Sequence, residues 1–291
     1  ILNSNYGISL TSSTSNAFFN NIIVDTDYAI YLEASPSNNF TGNTIAYTVY
    51  AITLKASDNN TFVNNTIGDA YRTFDAYSSS GNNVTSNNMT NVKHGMFLSV
   101  SFNNTINHNI IVGMRLLISI GIYLGRSFNN TICGNKVANF SQGIILDLLT
   151  NTTLISSNSI TTNYEIGINV GGYGGSSDHN TIEGNNITSN RVGILVRFQS
   201  SNNNITHNNI SNNDDYGIQL YQTSYNNIFN NNISNNKDYG IRLSQASNNY
   251  ILNNNVTNNY VLGVYAESSF NNRIYHNNFI NNYHSYDDQL E

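Results

Sequence analysis

The chain has 291 residues and a net charge of −6, and 60 of its residues are Asn, about one in five. Charged side chains make up only 10%, against roughly a quarter in ordinary domains, which excludes a coiled coil and leaves solubility to Asn, Ser and Thr. The 11 Lys and Arg are scattered and form no basic surface for nucleic acid, the one Cys (Cys133) has no disulfide partner, and no Cys and His cluster has the spacing of a zinc site.

Read from the N-terminus, the chain repeats one unit: Gly, aliphatic, any residue, aliphatic. It opens at Gly7-Ile8-Ser9-Leu10 and continues through Ala29-Ile30-Tyr31-Leu32, Ala51-Ile52-Thr53-Leu54, Thr73-Phe74-Asp75-Ala76 and Gly95-Met96-Phe97-Leu98. It resumes at Gly121, Gly143, Gly167, Gly193, Gly217, Gly240 and Gly263, making twelve copies spaced 22 to 26 residues apart. Each copy carries two further short apolar units, as in Asn129-Asn130-Thr131-Ile132 followed by Asn135-Lys136-Val137. Short alternating units separated by Asn, Ser and Gly are strand and turn signals, and no segment sustains a 3.6-residue period. The most apolar run, Met114 to Leu124, is too short to cross a bilayer and contains Arg115. A repeat of this length made only of strands predicts an all-β, right-handed parallel β-helix (β-solenoid) of about 12–13 coils. The coils hold 22–26 residues and three short strands each, in one domain over residues 1–291. With coils about 4.8 Å apart, the rod is roughly 60 Å long.

Stacking accounts for the composition. The Ile after each Gly forms a continuous apolar column, and Asn at equal turn positions forms amide ladders while tolerating left-handed backbone. The lone Pro36 fits a fold in which every strand donates amides to a neighbour. Residues Ile1 to Tyr6 read as the back half of a coil, and Tyr283 to Glu291 leave the pattern. The expectation is therefore a fragment of a longer protein, with flanking segments or end-to-end or lateral self-association covering the terminal coils.

The GIxL units with their NNxI and NNxIxNN connectors resemble the repeats of NosD-like proteins, also described as CASH domains. The likeness covers essentially the whole chain and is strongest at Asn271-Asn272-Arg273-Ile274-Tyr275-His276-Asn277-Asn278-Phe279-Ile280-Asn281-Asn282. The resemblance implies a secreted or cell-surface location, with the periplasm as an alternative, and contact with polysaccharide, a glycan or another surface protein. Copper handling, implied by some members, lacks the Cys or Met cluster it needs.

Two candidate sites emerge. Two residues before the Gly, successive coils carry Glu165, Arg191, Asp215 and Asp238, flanked by Asp214 and Lys237. This column is either the acidic site of a polysaccharide lyase or glycoside hydrolase, with calcium a possible ion, or a ladder of alternating charges. No Gly-His-Gly, DPHD or Asn-Thr-Asp motif accompanies it, which favours a non-catalytic rod acting as spacer, adhesive or carbohydrate-binding module. Two residues after the Gly, where side chains point outward, Phe97, Tyr123, Ile145 and Leu195 make an apolar stripe with Tyr31 and Tyr265 at either side. Its expected cover is the long loops near Gly113 to Ser119 and Gly171 to Gly175, a second molecule, or sugar rings. The Tyr column one residue before the Gly (Tyr6, Tyr28, Tyr50, Tyr216, Tyr239) is expected to face inward. His108, His207 and His276 share a column but lie several coils apart, too far to share a metal. Fourteen N-x-S/T sequons are present, and glycosylation is expected at few of them, on projecting turns.

Overall fold

The computed structural model describes residues 1–172 and 174–282; Tyr173 and the expected departure from the pattern at Tyr283 to Glu291 lie outside the described residues. Every paired strand is parallel to the strand one coil away, and the described residues contain no helix, hence none long and apolar enough to cross a membrane. The twelve short strands from Ala17–Phe19 to Arg273–Tyr275 stack as one sheet, and the remaining 21 strands form the other. The result is a parallel β-solenoid of about twelve coils, numbered below by the Gly units.

The core is the predicted column. Ile122, Ile144 and Ile168 are consecutive register partners and fully buried, as are Ile132, Ile155 and Ile182 on the opposite sheet. Each such side chain contributes on the order of 1.5–3 kcal/mol by leaving water. Phe18, Phe40 and Phe62 continue the stack as parallel rings 4.9 and 5.1 Å apart.

Asn holds the turns. From Asn21 to Asn277 one column places an Asn in every coil, and each backbone N–H donates to the Oδ1 of the Asn in the next coil at 2.8–3.0 Å. A second column runs from Asn16 to Asn272, interrupted at Thr153, and a third from Asn163 to Asn282. Together they use 29 of the 60 Asn. Another 17 Asn occupy left-handed backbone at positive φ, which Asn tolerates better than other residues with a Cβ.

Two expectations change. Three strands per coil holds from about residue 88 onward, but earlier coils fuse two of them into the single strands Ile22–Glu33, Thr44–Lys55 and Thr66–Tyr77. A single left-handed residue in each, Asp25, Tyr47 or Asp69, turns the corner without ending the ladder. The Tyr column before the Gly also does not face inward, because the Gly position itself does. A Cβ on Gly121 would lie 2.5 Å from both the Gly143 carbonyl oxygen and Val137 Cγ1, and Ala29, Ala51 and Thr73 at the same position are fully buried. Two successive residues, the Gly and its Ile, thus point into the tube, and strict alternation fails by one step.

Candidate functional site

That local break puts three columns side by side on one outer face. One residue before the Gly come Tyr6, Tyr28, Tyr50, Arg72, His94, Ile120, Gln142, Ile166, Val192, Tyr216, Tyr239 and Leu262. Next to them runs the stripe two residues after the Gly, and beside both runs the acidic column. The sequence did carry a signal for the missed column: Arg72, His94 and Gln142 share it, and no dry interior accepts such a series.

In coils eight to eleven the two predicted sites merge. A depression of about 400 Å³ has Ile166, Val192 and Leu195 as its apolar side, with Glu165, Arg191, Asp215, Tyr216, Gln219 and Arg242 around it. Arg191 Nε donates to Asp215 Oδ2 at 2.7 Å, and Lys237 pairs with Asp214. The Asp215 carboxylate holds the Arg191 guanidinium above its ordinary pKa. Arg242 donates from Nη1 to the Tyr216 hydroxyl at 2.7 Å, places its guanidinium 5.1 Å from that ring and reaches Glu267 at 3.3 Å. Asp238 sits one coil beyond Asp215, with its N–H donating to the Asp215 carbonyl at 2.9 Å. Its carboxylate has no hydrogen bond or ion pair among the described residues, and burial, with the Asp215 charge second, pushes its pKa up. The charged column is therefore mostly a ladder of pairs, with Asp238 and Glu165 outside the pairing among the described residues.

The stripe is divided. Phe97 and Tyr123 are half-buried and stack at 5.3 Å, while Ile145 and Leu195 are buried. Leu195 packs with Ile166 and Val192 against Tyr216 and Tyr221, so its cover is neighbouring side chains of the same face. The Met114 to Ile118 loop stays in solvent, with Ile118 80% exposed. The glycine loop lies over the next turn, where Cβ atoms on Gly172 and Gly174 would strike Asp147 and Leu148. Asn169 interrupts the stripe and donates from Nδ2 to Gln142 Oε1 at 2.9 Å. His108, His207 and His276 sit at the same left-handed turn position in separate coils. None of the fourteen sequon Asn stands in the buried ladders; Asn186, Asn209, Asn232 and Asn255 instead form an exposed ladder of their own.

The solenoid has many relatives by shape. A double mutant of the periplasmic alginate epimerase AlgG superposes with a TM-score of 0.67 at 15% identity, over 96% of this chain and 76% of that one. PfbA, a surface adhesin of Streptococcus pneumoniae, gives 0.66 at 10% identity over 91% and 83%. A tailspike protein double mutant of E. coli bacteriophage HK620, in complex with pentasaccharide, gives 0.65 at 9% identity over 96% and 68%. These identities establish the shared fold alone. No curated protein sequence matches the chain.

Residues 1–116 match the family described as right handed beta helix region, in keeping with the handedness expected of parallel crossovers. Residues 74–176 and 169–290 match the family described as periplasmic copper-binding protein (NosD). The donor set does not fit copper. Met89 and Met96 are sealed in the core, which leaves Met114 as the one accessible Met, Cys133 is a lone half-buried thiol, and no three His, Cys, Asp or Glu come together among the described residues. The chain belongs to the NosD family by its repeats.

Proposed function

We propose that the chain is a non-catalytic carbohydrate-binding rod of the cell exterior or periplasm, which holds a glycan on the outer face running from Tyr6 to Tyr265. The observation that carries this reading is the depression of coils eight to eleven, where an apolar surface, the Tyr216 ring and the charged groups Arg191, Asp215 and Arg242 converge. Sugar sites combine these elements: a ring or apolar side for the C–H face and paired polar groups for hydroxyls. The fold relatives, a periplasmic alginate epimerase, a surface adhesin and a tailspike in complex with pentasaccharide, support the same direction. Glycan-array screening followed by calorimetry tests it. Retention of a glycan weakened about tenfold or more by Arg242→Gln is expected, and failure to retain any glycan refutes the proposal.

A second reading, hydrolysis or lyase chemistry at the acidic column, is favoured by one feature: Asp238 is unpaired and its pKa is raised beside Asp215. Against it, Asp215 is committed to Arg191 and Asp214 to Lys237. Cleavage of a bound glycan that disappears in Asp238→Asn would establish it over the first.

A further inference from the structure

The same face carries a second patch, at coils four and five, with a different balance of charge. Arg72 and His94 are register partners, and Lys93 immediately precedes the strand that His94 opens. The Arg72 guanidinium lies 4.0 Å from the centroid of Phe97, against which the His94 ring stands edge-on at 5.5 Å. Tyr71 also meets His94 edge-on at 5.4 Å, and Lys93 Nζ sits 4.7 Å over the Tyr71 ring. The carboxylate within the patch, Asp75, takes Arg72 Nη1 at 2.7 Å. Two fixed cations thus face one carboxylate, in a chain whose net charge is −6.

Two nitrogens here are buried without a partner, Arg72 Nε and His94 Nδ1. His94 is only 8% exposed. Unpaired buried polar atoms are rare in folded proteins, and two on adjacent coils of one outer face mark a place where a ligand's polar atoms are missing. Burial, followed by the charges of Arg72 and Lys93, holds the His94 pKa down to about 4, as expected in a locally positive field.

The geometry points to a second glycan subsite that receives the carboxylate of an acidic sugar, a uronic acid residue, between Arg72 and Lys93, with its ring against the exposed Tyr71. This rests on the carbohydrate-binding reading and narrows its ligand class. A guanidinium matches the two oxygens of a carboxylate, and aromatic rings bordering a cation suit a pyranose that bears one.

The test is calorimetry with hexagalacturonate, using cellohexaose as the uncharged comparison and sodium sulfate as the bare anion. It is run on the wild type, Arg72→Gln, Lys93→Gln and Tyr216→Ala, each first confirmed folded by far-UV circular dichroism. Hexagalacturonate is expected to bind the wild type more tightly than cellohexaose, to weaken about tenfold in either cation variant, and to weaken with added salt. In NMR, bound hexagalacturonate should move the His94 imidazole signals and carry its protonation to higher pH. Hexagalacturonate binding untouched by Arg72→Gln and Lys93→Gln but lost in Tyr216→Ala would refute this subsite and leave the broader reading standing. Binding of no oligosaccharide refutes both. Equal His94 shifts with sulfate and hexagalacturonate would mark an ion site indifferent to sugar, and would overturn the proposal.

Discussion

Asn158 stands in mid-column of the uninterrupted ladder, 1% exposed. Its Oδ1 accepts from the backbone N–H of Asn135 at 2.9 Å and from the Asn135 side-chain amide at 3.0 Å. Its Nδ2 donates to the Ile132 carbonyl and to Asn185 Oδ1, both at 2.9 Å. Asn158→Ala therefore strands one buried group, the Asn135 N–H, and removes one bond each from the Asn135 amide, which keeps the Ile106 and Cys133 carbonyls, and from the Ile132 carbonyl, which stays in the strand ladder. At about 1–3 kcal/mol for the unsatisfied group and about 0.5–1.5 kcal/mol for each further hydrogen bond lost, less what an intruding water recovers, the expected loss is about 2–4 kcal/mol. Because coils communicate only with neighbours, the break should also lower the slope of the denaturant transition by uncoupling the two halves. Guanidinium unfolding followed by circular dichroism measures both, and hydrogen exchange at Asn135 localises the damage. The control is Asn253→Gly, which changes an exposed Asn at left-handed φ and should cost no more than a few tenths of a kcal/mol. If Asn158→Ala were no more harmful than Asn253→Gly, the ladder would be decoration, and the explanation of the Asn content would fail.

Three further outcomes follow from the same geometry. Gly121→Ala puts a methyl 2.5 Å from the Gly143 carbonyl oxygen and should cost about 1–3 kcal/mol in the same titration; wild-type stability would show that the position is open. His94 has a folded pKa of about 4 against an ordinary value of 6.5, so between those values the unfolded chain binds more protons and stability rises with pH. Its contribution is complete above about pH 6.5 and lost as pH falls toward 4, amounting to no more than about 2 kcal/mol after solvent screening. His94 is faced by Arg72, Lys93, Tyr71 and Phe97, with Asp75 on Arg72, and the difference in pH slope between wild type and His94→Gln isolates it; identical slopes would contradict the assignment. Asp238, whose pKa is raised chiefly by burial, opposes folding once ionised, so Asp238→Asn should be neutral or stabilising by up to about 1 kcal/mol at pH 7, checked by comparing melting curves at pH 7 and at acid pH.

Much of this was legible because each coil repeats the previous one. The spacing of Gly121, Gly143 and Gly167 fixed which Ile residues touch, and they do. The Asn columns were legible for the same reason, as equal positions in successive coils must meet. What escaped was decided within a coil rather than between coils. Counting alternate residues sent Tyr28 and Tyr216 inward, whereas the Gly position and its Ile both face the core, an irregularity that period arithmetic across repeats does not register. The pairing of Arg191 with Asp215, and the isolation of Asp238, depend on side-chain directions that a column assignment leaves open. The cover of Leu195 is hidden from the sequence as well, because period-two counting puts Tyr216 on the inner side of the wall.

The outward Tyr residues also fall into blocks, and the blocks constrain how a sugar can meet them. Tyr6, Tyr28 and Tyr50 stack at 5.2 and 5.0 Å, nearly parallel, and Tyr216, Tyr239 and Tyr265 stack at 5.6 and 4.8 Å. Rings piled face to face along the axis turn their edges and hydroxyls outward, so within a block each face is already matched by the next ring. A parallel partner is missing only where a block ends: at Tyr6 and Tyr265 toward the ends of the rod, and toward its middle at Tyr50, beside Arg72, and at Tyr216, beside Val192 and Arg242. The two middle-facing ends adjoin the cationic patch and the depression, the two places where other observations locate a ligand. Tyr28→Leu, in mid-block, should therefore lower thermal stability by the loss of two stacked rings and an edge contact with Tyr31, about 1–3 kcal/mol, and leave glycan affinity within about twofold. Tyr216→Leu should weaken glycan binding about tenfold, as the loss of an aromatic anchor does. If calorimetry returned the reverse order, with the mid-block ring governing affinity, sugars would be meeting the hydroxyl edge of the column, and the block-end argument would be wrong.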